Sequence, residues 1–364
     1  MINLKNKNQF KPSITIPPGE TLREVLENQN LKQVEFCKRL GVSEKTISLI
    51  INGVAPITPQ TALKFESVLE IPASFWNNLE SNYQETKRRL EVENQLARSS
   101  KNKEIAILEE IDYPELAKLG WVEITRDKVE KILNLRKFFG VASLCKINEI
   151  YGVAFRKSSK NASPYALAAL IEKGTKEANN MKTNTFNKNK IKSCIGNIRQ
   201  LTLKGPDIFE KELKHICSDC GIALVILPHL SKTFLHGATK WLNPTKALLL
   251  LTIRLRYLDI FWFSFFHELG HLLIHSRKSI FIDEKDEDNN SLEREADKFA
   301  ADSLIPKNEY KEFVKKYNFS REAIFNFSEI LGIHHSIVIG RLQHDEFVSF
   351  KKFNRLKPKL TWKK

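Results

Sequence analysis

FWFSFFHELGHLLIH, residues Phe261–His275, decides how the second half of this chain is read. The stretch is almost wholly apolar, yet it carries His267, Glu268, His271 and His275. It is either a core helix whose polar residues bond internally, or a helix that exists to hold a metal. His267-Glu268-Leu269-Gly270-His271 has the HExxH spacing. Residues four apart share a helix face, so both imidazoles reach one ion. Glu268 lies about 100° further round, where it meets a water on the metal rather than the metal itself. Gly270 removes a side chain where another backbone can pass close by.

A third ligand separates the two readings. In the longer HExxHxxGxxH pattern the later positions fall on Ile274 and Arg277, which excludes that class. His275 shares the face but sits one turn on, where a straight helix aims it at the next layer. Downstream, SLEREADKFAADSLIP (residues 291–306) has an inward stripe of Ala296, Phe299, Ala300, Ser303 and Leu304. At about 100° per residue, Glu293 falls roughly 20° from the stripe centre and Glu295 roughly 140° from it. Glu293 is therefore the expected ligand and Glu295 points outward. Asp297, one turn after Glu293, is placed to orient a ligating histidine through its second ring nitrogen. The competing role for Glu293 is a capping box with Asn290.

The 364 residues are enough for two or three domains, each with its own core. A formal charge of +15 points to an anionic partner, nucleic acid first, with a solvated lysine-rich surface as the alternative. Five cysteines are too few and odd in number for a disulfide framework, so a reducing setting is expected. Cys217 and Cys220 form a lone CxxC and read as helix-end thiols. The start, MINLKNKNQF, has no apolar h-region. The oiliest window is interrupted by Arg254, Arg256 and Asp259, so it reads as a strand followed by a core helix rather than a membrane span. A cytoplasmic protein is expected.

The expected fold is mainly α with a small β-sheet. Residues 1–20 read as an extended arm, 21–90 as short helices, and 91–215 as a helical linker or middle region. GIALVILPHL and KALLLLTIRL read as strands, separated by Gly237 and the WLNPTK turn. Residues 216–345 form the metal-binding domain, with an acidic loop IDEKDEDNNS, and 346–364 a basic tail.

LKQVEFCKRLGVSEKTISLIINGVAPIT has helix–turn–helix logic. A first helix from about Lys32 to Leu40 takes Val34, Phe36, Cys37 and Leu40 as apolar positions. Gly41 ends it in the left-handed conformation, and Ser43 caps a second helix, EKTISLII. Ile47, Ile50 and Ile51 face inward. Lys45, Thr46 and Ser48 stay outward near the helix N-terminus, where a recognition helix meets base edges; Ser43 sits at that same end. Gln33 suits a phosphate contact.

Two resemblances follow. PGETLREVLE, QVEFCKRLGVSEKTISLIINGVAPITPQTALKFE and IPASFWNNLESNY resemble the HigA-type antitoxins of the XRE helix–turn–helix class, over roughly residues 17–85. That resemblance implies a DNA-binding autorepressor on its own promoter, usually a homodimer, paired with a small toxin. FWFSFFHELGHLLIH, EREADKFAADSLIP and LGIHHSIVIGRL resemble the ImmA/IrrE zinc metallopeptidases, over roughly residues 220–345. This second resemblance implies an α+β, gluzincin-like domain holding Zn²⁺ on His267, His271 and the downstream acid, Glu293. Members cleave helix–turn–helix repressors; here a repressor-like domain is fused to the peptidase, which leaves the protein substrate open. The expected chemistry is peptide hydrolysis, Glu268 taking the proton of the attacking water. His236, His334 and His335 are weak candidates for an oxyanion helper. The alternative reading is a non-enzymatic antitoxin whose metal site is structural or sensory.

Overall fold

Pro18 opens the first helix. It lacks the backbone N–H that a first helical turn leaves unbonded, and its ring presets φ. Helix α1 therefore spans Pro18–Asn28, with Pro17 as cap, and the extended arm ends before residue 20. The computed structural model describes residues 14–98, 103–152, 162–275, 281–282 and 290–361, so most of that arm lies outside the described residues. The chain divides into two units, residues 1–102 and 103–364.

In the first unit α2 is Gln33–Leu40, α3 Glu44–Ile51, α4 Pro59–Leu69 and α5 Ala73–Arg98. Gly41 adopts φ +66°, and the Val42 amide bonds back to Cys37 O, which closes the turn between α2 and α3. Gly19 is required by packing: a Cβ there would lie 2.2 Å from Ile50 O, so α1 rests directly on the end of α3. Phe36, Phe65 and Trp76 form the centre of the core, with ring centroids 5.4 and 5.3 Å apart. Val34 does not join them and is 46% exposed. It lies about 110° around the helix from the mean of Phe36, Cys37 and Leu40. α5 runs on past Leu90 to Arg98, so no break occurs at the expected boundary.

The second unit begins with α6 (Lys103–Glu110), α7 (Tyr113–Lys118), α8 (Lys128–Phe139), α9 (Ile147–Ile150), α10 (Pro164–Asn180), α11 (Lys188–Gln200) and α12 (Pro206–Asp219). These residues belong to the same unit as the sheet rather than linking two domains. Gly174 of α10 lies so close to β3 (Lys246–Thr252) that a Cβ would touch the Leu250 side chain at 3.2 Å. Leu248 and Leu250 thus face α10. Ala247, Leu249 and Leu251 face the other way, into a cluster with Phe209, Leu213, Trp262 and Phe265. The sheet is covered on both faces.

β1 (Ile222–Leu227) pairs parallel with β3, and β2 (Gly237–Asn243) pairs antiparallel with it; the order is β1-β3-β2-β4, with β4 at Phe281–Ile282. Gly237 is therefore the first residue of a strand rather than part of a separator. GATKWLN was hard to recognise because its apolar residues do not alternate and its second half is only partly buried. α13 (Leu258–Ile274) follows, then α14 (Asn290–Leu304), α15 (Lys307–Lys315), α16 (Arg321–Leu331) and α17 (His335–His344). Residues 283–289 of the acidic stretch lie outside the described residues.

The expected basic tail packs against this unit as far as Leu360, which is buried. Lys357 Nζ lies 2.6 Å from Asp259 Oδ2, both buried, and the Leu258 amide donates to Pro358 O at 3.1 Å. Cys217 and Cys220 are free thiols at the end of α12, and burial pushes the Cys220 thiol up to about 11. No single helix among the described residues is long and apolar enough to cross a membrane.

Candidate functional sites

α13 is apolar on nearly every side because it is surrounded: it packs against β2, β3, α14 and α17. Gly270 permits the closest of these approaches, since a Cβ there would meet Ala296 Cα at 3.3 Å and the Phe299 ring at 3.1 Å. This contact brings Glu293 of α14 over the two histidines of α13. Glu293 Oε2 lies 3.1 Å from His267 Nε2 and 3.4 Å from His271 Nε2, and the two Nε2 atoms are 3.0 Å apart.

The donor set fits a metal ion. Bonds of about 2.0–2.2 Å in a tetrahedral site put ligand atoms roughly 3.4 Å apart, close to these separations. The tautomers agree. His267 Nδ1 is 2.9 Å from Asp297 Oδ1, and a carboxylate can only accept, so the proton sits on Nδ1 and Nε2 presents its lone pair. That lone pair faces the Glu293 carboxylate and the Nε2 of His271, an arrangement of acceptors that a cation between them would relieve. Glu293 Oε1 is buried with no hydrogen-bond partner, a second acceptor in want of a positive centre. Burial alone would push the Glu293 carboxyl up; the hydrogen bonds from His267 and His271 outweigh it and hold the group at about 2. The carboxylate is turned to the histidines rather than back to the start of its helix.

Glu268 stands apart from this trio. It is buried, and Gly237 of β2 makes its berth: a Cβ at 237 would fall 2.5 Å from Glu268 Cγ and 2.6 Å from Oε1. Sequence reasoning missed Gly237, whose only signal was a glycine heading a run of strand-forming residues. It also missed the role of His275. That ring does not enter the trio; its Nδ1 lies 2.9 Å from His271 Nδ1, and its Nε2 lies 3.5 Å from Glu295 Oε2. Glu295 is exposed, as the helical wheel has it, yet reaches back to this second histidine. Of the three oxyanion candidates, His334 caps α17 through Ser336 and His335 bonds Leu356 O at 3.0 Å. His236 alone adjoins Gly237, and its Nε2 lies 3.3 Å from Arg254 Nη1.

In the first unit Lys45 and Thr46 are exposed at the N-terminal end of α3, and Ser48 is half-buried. The Ser43 hydroxyl accepts from the Thr46 amide at 3.1 Å and lies 2.8 Å from Thr46 Oγ1. Ser43 and Thr46 therefore spend their hydroxyls on the cap, which leaves Lys45 as the exposed charge of this turn. Gln33 is half-buried at the start of α2.

Comparison with known proteins divides the chain in the same way. A helix-turn-helix family model matches residues 22–76, and the model of the IrrE N-terminal-like domain matches residues 260–331, a span that encloses His267, Glu268, His271, Glu293 and Asp297. The uncharacterized HTH-type transcriptional regulator YddM of Escherichia coli K12 is 30% identical over 64 residues, which is 18% of this chain and 68% of that protein. Among solved structures, the chain is similar to a candidate antidote protein of a plasmid maintenance system from Nostoc punctiforme. The identity is 27%, covering 22% of this chain and 89% of that one, with a TM-score of 0.22. It is also similar to an addiction module antidote protein of a HigA family from Coxiella burnetii, at 24% identity over 24% of this chain and 97% of that one, TM-score 0.21. With the fold and both matches in hand, the chain belongs to the XRE-type helix-turn-helix transcriptional regulators and carries an IrrE N-terminal-like domain in its second unit.

Proposed function

We propose that this protein is a cytoplasmic, antitoxin-like transcriptional regulator whose second unit is a zinc-dependent endopeptidase acting on a repressor or partner protein. The observation that carries the enzymatic half is the position of Glu268, buried beside the His267–His271–Glu293 trio but outside it. A site that only held a metal would have no use for a second carboxylate in a berth cut by Gly237.

Zn²⁺ bound by His267, His271 and Glu293 would supply a Lewis acid for the scissile carbonyl and acidify a water. Asp297 fixes the tautomer and aim of His267, and His275 does the same for His271. Glu268 accepts the proton of the attacking water and returns it to the leaving amine. In the first unit Lys45 and Ser48 of α3 meet base edges and Gln33 a backbone phosphate of the protein's own promoter, with Ser43 and Thr46 shaping the end of the helix. The net charge of +15 suits that partner. A homodimer and a small toxin partner belong to the same reading.

A second reading has one observation in its favour. His267, Glu268 and His271 are all buried, a setting equally suited to a structural or sensory metal in a non-enzymatic antitoxin. One experiment separates them: wild type and Glu268→Gln, each loaded with zinc, are incubated with the product of the adjoining gene and with themselves. Cleavage by the wild type alone establishes the peptidase. Intact proteins in both incubations, at equal zinc content, establish the second reading.

A further inference from the structure

Behind the ligating histidine lies a cavity of about 410 Å³, walled by α13, α14 and α17 and by the chain near Phe350 and Lys357. It is on the outer side of the His267 ring. The Nε2 edge faces Glu293 and His271, whereas the Nδ1 edge is bonded to Asp297, and Asp297 lines the cavity. A group in this space meets the back of the centre, not the face where a carbonyl would react. Its volume is within the range of small-molecule sites.

The walls are mostly apolar, with Ile260, Phe263, Leu304 and Ile337 among them. One polar group in the lining is unusual. Asp259 is 7% exposed; its Oδ2 pairs with Lys357, but its Oδ1 is buried with no hydrogen-bond partner. Gly340 opposite is what makes room for it, since a Cβ there would lie 2.4 Å from Oδ2. A buried carboxylate oxygen without a donor calls for one. The surrounding charge says which kind. Asp297, Asp302 and Lys298 line the cavity, while the other two cations, Lys357 and Arg341, are taken up by Asp259 and by Asp345 at 2.7 Å. The balance left for an occupant is acidic.

We propose that this cavity binds a small amphipathic cation, an aryl- or alkylammonium whose N–H donates to Asp259 Oδ1 and whose apolar body lies against Ile260, Phe263 and Ile337. Because Asp297 is shared with His267, the occupant is coupled to the metal centre, and this second half rests on the zinc reading. Binding at the cavity itself does not.

The test is calorimetric titration of the full chain with 4-phenylbutylamine, and with 4-phenylbutanoate as the same body carrying the opposite charge. The amine is expected to bind saturably, at least tenfold tighter than the carboxylate. Ala301→Leu, which fills the cavity from α14 without touching a metal ligand, is expected to weaken the amine at least tenfold, as is Asp259→Asn. Absence of saturable binding up to millimolar amine overturns the site, as does an Ala301→Leu protein that is folded by circular dichroism and binds as the wild type does. Repeating the titration with zinc-loaded and zinc-stripped protein, the metal content measured by elemental analysis, tests the coupling. A change in Kd of threefold or more is expected, and by reciprocity zinc affinity changes by the same factor. An unchanged Kd with zinc demonstrably present overturns the coupling alone; a wild type that takes up no zinc fails the metal reading instead.

Discussion

Gly237→Ala adds one carbon, and the structure says where it must go. The new Cβ would stand 2.5 Å from Glu268 Cγ, 2.6 Å from Oε1 and 2.8 Å from Cδ. Carbon pairs rest at about 3.5–4.0 Å, so the shortfall is at least 1 Å against a side chain that is buried on a packed helix. Such overpacking costs about 1–3 kcal/mol. For a unit of this size that lowers the midpoint of thermal unfolding by roughly 2–10 °C. The cause is isolated by a double-mutant cycle with Glu268→Ala, which removes all three clashing atoms. In that background Gly237→Ala should be nearly neutral, giving a coupling of about 1–3 kcal/mol. Scanning calorimetry of the four zinc-loaded proteins measures it. A Gly237→Ala variant within 0.5 °C of wild type would refute the argument that Gly237 is Glu268's berth. So would an equal loss in both backgrounds, since the clash would then lie elsewhere.

The remaining expectations concern the ligands, the cap and an ion pair. Wild type should bind about one zinc per chain; His267→Ala and Glu293→Ala should lose it while Glu268→Gln keeps it, as read by elemental analysis. Asp297→Asn should weaken zinc about tenfold in competition with a chelator, the low end for such an outer partner because Asp297 is 56% exposed. Lys45→Ala should weaken gel shifts with the promoter while leaving the melting curve unchanged, whereas Ser43→Ala should cost the fold about 1 kcal/mol through the lost cap. Glu104, buried against Arg136 at 2.5 Å and accepting from the Leu144 amide, has its carboxyl held below the usual range, because those bonds outweigh its burial. A depressed folded pKa means its stabilisation is complete above the unfolded pKa of about 4.3 and is lost as pH falls through the folded value. Glu104→Gln should therefore cost about 2–3 kcal/mol at pH 7 and flatten the acid limb of a urea-denaturation series.

What the sequence made legible follows from range. Helix periodicity and caps are local, so α3 could be placed to the residue, and the angle between Glu293 and the stripe of α14 could be worked out before any coordinates. The HExxH face is equally local. What escaped was whatever depends on elements far apart in the chain. Gly237 precedes Glu268 by one strand pair, and only the β2–β3 hairpin brings them together. Asp259 reads in sequence as a charge that spoils a membrane span; its partner, Lys357, lies beyond five further elements, on what reads as a tail. The middle region offered no chemistry because it has another task, laying α10 across the sheet face opposite the metal helix.

These missed contacts share one physical logic that bears on function. α13 carries carboxylates at both ends of its buried run, Asp259 and Glu268, and each is accommodated by a glycine on a neighbouring element, Gly340 and Gly237. A buried carboxylate is costly unless its surroundings are shaped and charged to receive it. Asp259 has a lysine on one oxygen and a cavity beside the other; Glu268 has the metal trio at its side. Substituting either acid by its amide keeps the shape and removes the charge. The two changes should therefore separate cleanly: Asp259→Asn alters stability and amine binding with zinc retained, and Glu268→Gln abolishes hydrolysis with both zinc and amine retained. A Glu268→Gln protein that still cleaves would show that the second carboxylate of α13 serves packing alone, and the peptidase reading would fall with it.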